Sequence, residues 1–179
     1  MNYFHNTPKL KTVIIAPSVK NLCERLFEYS YEGLENVYFP DTLDEIASSF
    51  LAETYSLRNV RFPKQINTIG QGAFFGTGMK RIVLPESLTV IADYAFRCVY
   101  DCHYMEIGKN VKIIGAAAFG TMDKLDTLVI RATTPPLTGT NAFQYTNERK
   151  ITFLVPKKSL ELYRKDSVYR TLNPQPMEQ

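Results

Sequence analysis

The chain has no tryptophan, two histidines and three cysteines among its 179 residues. Each shortage closes off a class of chemistry. A metal ion needs three or four donors converging within about 2.0–2.3 Å. The densest local cluster is Cys98-x-x-x-Cys102-His103, and the other donors of these types, His5 and Cys23, are far away in the chain. No metal or cofactor site is therefore assigned. Three cysteines make no disulfide framework, and the odd number leaves at least one thiol free unless it pairs with another chain. A Cys98–Cys102 bridge stays open for an oxidising compartment, subject to geometry. The packing alternative puts Cys98 under a turn and Cys102 in an apolar slot.

Charge of one sign is also missing. Twenty-one basic residues face 18 acidic ones, for a net charge of +3. No basic run reads as a phosphate-tracking stripe, so nucleic acid is not an expected partner. No apolar run approaches the roughly 18 residues of a membrane-spanning helix. Residues 1–8, Met-Asn-Tyr-Phe-His-Asn-Thr-Pro, lack the charged-then-apolar form of a secretory signal. The chain therefore reads either as cytoplasmic or as a mature or excised piece of a longer exported protein.

Catalytic motifs are equally scarce. Gly70-x-Gly72-Ala-Phe-Phe-Gly76 lacks the Gly-Lys-Ser/Thr ending of a phosphate-binding loop and reads as a repeat corner. There is no Gly-x-Ser-x-Gly, and His103 falls in a variable turn. Asp44-Glu45 reads as solvated surface rather than acid/base machinery. Lys157-Lys158 and Arg164-Lys165 read as the wet face of a helix, with contact to an acidic surface as the functional alternative. No catalytic residue is assigned.

What the chain does have is repetition. Phe39, Phe62, Leu84, Ile107 and Ile130 follow one another at steps of 23, 22, 23 and 23 residues. Proline follows the first three, while Gly108 and Arg131 stand in its place after the others. Ile15 lies 24 residues before Phe39, with Pro17 one residue late. Ile46, Ile69, Ile91 and Ile114 step by 23, 22 and 23. Ala-Phe recurs at Ala73-Phe74, Ala95-Phe96, Ala118-Phe119 and Ala142-Phe143, decaying to Leu26-Phe27 and Phe50-Leu51 in the first two units. Chance does not keep three independent markers in phase. The period falls within the roughly 20–29 residues of leucine-rich repeats.

The physics of one unit follows from these positions. Val37 and Phe39 point one way and Tyr38 the other, as period-two alternation requires. Such short strands gain stability only by stacking into a parallel sheet, each completing its neighbour's hydrogen bonds. Pro40, Pro63 and Pro85 end the strands because proline lacks the donor a ladder needs. Leu43 and Ile46, with their equivalents, turn inward on the next side. Gly70 and Gly115 are expected to ease a corner. Alanine lets backbones approach, and each phenylalanine stacks on the next. Pro135-Pro136 are expected to exclude a second strand from the last unit.

The unit apolar-x-x-Ile-x-Ile-Pro-x-x-Leu-x-x-Ile-x-x-x-Ala-Phe resembles the BspA-type leucine-rich repeat. The likeness covers about residues 10–169. Cys98, two residues after Phe96, stands where that family often has cysteine. Ala132 to Phe143 resembles the family's last full repeat, and Leu154 to Tyr163 its closing segment. The resemblance implies a β-rich α/β solenoid: a right-handed superhelix with a parallel sheet on one face, short helical turns, and a C-terminal capping strand plus short helix. The expected organisation is a frayed or partial N-terminal unit at 1–9 and a solenoid of about five units at 10–149. A cap at 150–170 and a flexible tail at 171–179 complete it. Within the cap, Ile151 to Val155 reads as a strand and Lys157 to Lys165 as an amphipathic helix with Leu160 and Tyr163 inward.

The functional candidate is the outward side of the stacked strands. One column reads Thr12, Asn36, Asn59, Arg81, Tyr104, Thr127, Thr152, and the other Ile14, Tyr38, Arg61, Val83, Glu106, Val129, Leu154. Seven strands span on the order of 29 Å, wide enough for a protein segment or glycan. Tyr and Arg are the types enriched at binding hot spots. Asn36, Tyr38, Asn59, Arg61, Arg81, Val83, Tyr104 and Glu106 are therefore the expected partner-binding residues. The bland alternative is that Val and Tyr ladders only stabilise the sheet. The resemblance implies a non-catalytic, bacterial, secreted or cell-surface adhesion module that meets a host or bacterial protein, or a glycan. Two rivals are a structural spacer or cap of a longer surface protein, and an intracellular protein with an enzymatic role for His103.

Overall fold

The computed structural model describes Phe4, residues 7–146 and residues 151–178. The strands are β1 (Thr12–Ile14), β2 (Asn36–Tyr38), β3 (Glu45–Ile46), β4 (Asn59–Arg61), β5 (Thr68–Ile69), β6 (Arg81–Val83) and β7 (Val90–Ile91). They continue with β8 (Tyr104–Ile107), β9 (Ile113–Ile114), β10 (Thr127–Ile130), β11 (Leu137–Thr138), β12 (Thr152–Val155) and β13 (Gln175–Pro176). All pairings are parallel, and apart from β4 with β6 the repeat strands pair with their counterparts one repeat away. The fold is a parallel-sheet β-solenoid with three sides.

One side carries β3, β5, β7, β9 and β11 in a single unbroken sheet. The inward residues Ile46, Ile69, Ile91 and Ile114 are fully buried along it. Pro135 and Pro136 do not prevent β11 from joining. They precede the strand, and the rungs come instead from Leu137 N–H to Lys112 O and Gly139 N–H to Ile114 O, both 2.8 Å.

A second side is built from the Ala-Phe corners. Alternate N–H groups donate to the following turn: Gly72 to Asp93 O, Phe74 to Ala95 O and Gly76 to Arg97 O, each 2.9 Å. Two residues four apart take left-handed backbone in each corner, as at Tyr94 and Cys98 or Ala117 and Thr121. That geometry breaks any helical run, so the short helical turns expected from the resemblance are not formed. Among the described residues helix is limited to α1 (Leu160–Lys165) and two 3-10 segments, Lys157–Ser159 and Tyr169–Leu172. The corner rings stack as the repeat requires. Phe74–Phe96, Phe96–Phe119 and Phe119–Phe143 have centroids 5.1, 5.7 and 5.5 Å apart. Leu51 interrupts this column, and Phe50 turns edge-on to Phe27 instead, at 5.4 Å.

Gly70 and Gly115 serve close approach rather than a special φ. A Cβ on Gly70 would sit 2.8 Å from Ile46 O, and one on Gly115 2.4 Å from Asp93 N. Side chains there would push successive turns apart.

The C-terminal end is closed by aromatic packing. Tyr163 and Tyr169 are fully buried, and their hydroxyls donate to Ala132 O at 2.9 Å and Pro136 O at 3.1 Å. Their rings pack on Phe153 and on each other. Leu160 is only partly buried. Residues 171–178, expected as a loose tail, instead lay β13 alongside β12, with Met177 N–H donating to Val155 O at 2.9 Å. Leu172 is buried against the same cap. At the other end Phe4 stacks on Phe27 at 5.0 Å. The rest of the expected N-terminal unit up to residue 6, together with 147–150 and 179, lies outside the described residues.

Candidate functional site

The third side is the one on which the partner-binding residues were placed, and it is not one sheet. β1, β2 and β4 form a three-stranded sheet, and β6, β8, β10, β12 and β13 a five-stranded one. The continuous seven-strand face expected from the repeat is therefore split between β4 and β6. Within each part the register is the expected one. Thr12 stands beside Asn36 and Asn59, and Ile14 beside Tyr38 and Arg61. Across the split, Arg81, Tyr104, Thr127 and Thr152 align, as do Val83, Glu106, Val129 and Leu154.

Arg58 and Gly78 bridge the two turns at the split. The Arg58 guanidinium enters between the turns and donates through Nη1 to Tyr55 O at 2.6 Å, Leu57 O at 3.1 Å and Gly78 O at 2.8 Å. It consumes carbonyls on both sides of the gap. Phe39 N–H reaches Arg61 O at 3.0 Å and Leu84 N–H reaches Glu106 O at 2.9 Å, but the equivalent rung from Phe62 N–H to Val83 O is not made. The step across the gap is also one residue shorter than its neighbours, 22 against 23 between Phe62 and Leu84.

A cleft of about 510 Å³ occupies the split. Five of the eight expected residues line it: Tyr38, Asn59, Arg61, Arg81 and Val83. Tyr38 is 40% exposed and Val83 46%. Arg58 and Lys80, which the repeat pattern did not single out, also line it. The only sequence signals for them were the short step and a glycine at position 78. Val60 and Phe62 are half-buried here, whereas their counterparts Val37 and Ile82, Phe39 and Leu84, are buried.

The other three expected residues flank the cleft. On one flank Asn59 Nδ2 donates to Asn36 Oδ1 at 2.8 Å, and Asn36 Nδ2 to Thr12 Oγ1 at 3.3 Å. Arg61 pairs with both oxygens of Asp41, at 3.0 and 3.1 Å, and donates to Phe39 O. On the other flank the Arg81 guanidinium carbon lies 3.6 Å from the centroid of the Tyr104 ring. Tyr104 donates to Glu106 at 2.5 Å, and Arg131 Nε pairs with the other Glu106 oxygen at 2.5 Å. Burial alone would raise the Glu106 carboxyl, but the bonds from Arg131 and Tyr104 outweigh it and hold the group below its ordinary value. Burial and the Glu106 bond raise the Tyr104 hydroxyl. Tyr104 and Glu106 are thus half-buried members of an ionic network. Val129, placed on the outer column, is only 4% exposed and offers nothing to a partner.

The remaining candidates take structural roles. All three cysteines are free thiols. Cys102 fills the apolar slot of Met79, donates to Tyr104 O at 3.3 Å, and burial pushes its thiol up to about 12. His103 Nδ1 lies 2.8 Å from Asp126 Oδ2 on open surface. No hydroxyl or thiol nucleophile joins that ring among the described residues. Among the described residues no group of three or more His, Cys, Asp or Glu could hold a metal, and no helix is long and apolar enough to cross a membrane.

Comparison with known proteins agrees with this architecture. The family model for the BspA type leucine rich repeat region matches in six copies, over residues 1–99 and 29–152. A leucine-rich repeat protein from Bacteroides ovatus superposes with a TM-score of 0.65 at 22% identity. The match covers 87% of this chain and 42% of that one, so the chain spans less than half the length of that protein. No curated protein matches the chain.

Proposed function

The chain belongs to the BspA-type leucine-rich-repeat family, and from that premise we propose that it acts as a non-catalytic protein-binding scaffold whose split strand face receives the partner. One observation carries the reading. Tyr38, Asn59, Arg61, Arg81 and Val83, expected from the outward columns of the repeat and their residue types, line one open cleft. Tyrosine and arginine supply contact area and charge-assisted bonds in a form that hot spots favour. The strands hold these side chains at fixed spacing, so little ordering entropy is lost on binding. The family setting supports display or secretion by a bacterium, with adhesion to a host or bacterial surface protein as the role. A glycan is the alternative ligand on the same face.

The test is capture from host-matrix and bacterial-surface extracts by the full chain. Arg61→Glu with Arg81→Glu is expected to abolish capture, with circular dichroism showing that the fold survives the loss of the Arg61–Asp41 pair and the Arg81–Tyr104 contact. Capture that survives both reversals moves the contact surface to the loops. If neither form captures anything, the chain is a spacer or cap.

A further inference from the structure

We infer that the gap between β4 and β6 is a docking slot for an extended protein segment in which acidic and apolar residues alternate. The inference rests on the scaffold reading above and names the chemistry of its partner.

The backbone supplies the first argument. Among the described residues no backbone hydrogen bond joins β4 to β6. Phe62 N–H and Val83 O face the gap without the rung that links the same positions elsewhere in the stack. Arg81 N–H likewise lacks the bond to Arg58 O that Asn59 N–H makes to Glu35 O and Thr127 N–H to His103 O, both at 3.0 Å. Unpaired strand edges inside a sheet are templates for a further strand. Between the other successive turns on this side, from β1 to β4 and from β6 to β12, the strand edges are paired. Here they are not.

Charge supplies the second. Arg58, Lys80 and Arg81 line the cleft, and none of them forms an ion pair among the described residues. The acids nearby are already engaged. Asp41 serves Arg61 and Lys64, Asp101 serves Lys124, and Glu106 serves Arg131 and Tyr104. Asp101 also acts on Arg58 and Lys80, and Glu106 on Arg81, from outside the cleft. The lining itself carries basic side chains and no carboxylate, so complementarity asks for an acidic occupant.

The third argument is the pattern of the walls. Val60 and Phe62 are half-buried at the base, and Val83 is exposed at the side. A strand sends successive side chains to opposite faces. A segment lying in the gap would direct one set toward Val60 and Phe62 and the other toward the cations at the rim. Acidic residues alternating with apolar ones satisfy both walls at once. A sulfated or uronate glycan matches the charge but neither the backbone edges nor the apolar base.

The probe is a fluorescein-labelled octapeptide of alternating Asp and Val, titrated into the full chain by fluorescence anisotropy. Its comparators are a block isomer with all four Asp first, a Lys-for-Asp counterpart, and a heparin dodecasaccharide. The alternating peptide is expected to bind at least about tenfold tighter than the block isomer, and the lysine peptide not at all. Lys80→Glu with Arg81→Gln is expected to weaken it about tenfold or more, with the fold retained by circular dichroism. Hydrogen exchange at the Phe62 and Arg81 amides should slow on binding. Equal binding of the two isomers, binding of heparin alone, or unchanged exchange at both amides overturns the slot. If the peptide fails while Arg61→Glu with Arg81→Glu still abolishes protein capture, the slot falls and the scaffold stands. If capture is also unaffected by those reversals, the strand face falls together with the slot and the contact surface moves to the loops.

Discussion

Arg58 and Gly78 are mutually dependent. Arg58 Nη1 lies 2.8 Å from Gly78 O, and a Cβ on Gly78 would come within 1.5 Å of that same nitrogen. It would also meet Tyr55 O at 2.1 Å, so the site has no room on its backbone side either. The guanidinium reaches its three carbonyls only because residue 78 has no side chain.

Gly78→Ala is therefore expected to destabilise the fold by about 2–3 kcal/mol, from overpacking and displaced charge-assisted bonds. Arg58→Ala is expected to cost about 2 kcal/mol by leaving carbonyls without their donor. The two losses should be less than additive, since the second change removes a contact the first has already broken. Urea unfolding of the two single variants and the double variant measures the coupling. Strict additivity would mean that the guanidinium and the glycine act separately.

Thr121 is a β-branched residue held at φ 58°, where L side chains crowd the backbone. Its N–H donates to Gln144 O at 2.8 Å, a bond that needs only the backbone. Thr121→Gly keeps that bond and relieves the crowding. It is expected to raise stability by about 0.5–1 kcal/mol after the greater freedom of glycine in the unfolded chain is counted. Thermal unfolding reads this as a higher Tm, and a lower one would mean that the threonine side chain is held by its surroundings.

Glu106 sets an acid limit on the strand face. Its folded carboxyl is held below its ordinary value, so the unfolded state binds the proton more readily. The stabilisation is complete above the unfolded value of about 4.3 and is lost as the pH falls through the folded one. Glu106→Gln is expected to cost about 1–2 kcal/mol at pH 7. It should also flatten the loss of stability between about pH 5 and pH 3. Urea midpoints at the two pH values for parent and variant provide the check. Equal slopes would remove Glu106 from the acid transition.

The repeat was legible because its markers are local and obey one period. Phe74, Phe96, Phe119 and Phe143 sit where the spacing put them, and the strand register followed from the same count. The split was not legible, because it depends on where one long side chain goes. The step of 22 residues from Phe62 to Leu84 was visible, but a missing residue does not say which of three sides absorbs it. Arg58 looked like any charge at a strand entrance, and Gly78 like a turn residue. Pro135 and Pro136 misled for a related reason: what matters is which N–H groups the ladder uses, and those belong to Leu137 and Gly139. Gly70 and Gly115 were read as corner residues, although backbone crowding, invisible in one dimension, is what requires them.

The unbroken run of β3, β5, β7, β9 and β11 opposite an interrupted strand face gives the solenoid an unequal resistance to bending. Flexing that widens the gap between β4 and β6 ruptures no strand-to-strand bond on that side and strains only the Arg58 bridge to Gly78. The opposite flexure must strain the β5–β7 pairing and the corner bonds Gly72–Asp93 and Phe74–Ala95. The molecule is thus a rod with a built-in compliant joint one-third of the way along it, backed by a stiff spine that keeps both arms in alignment.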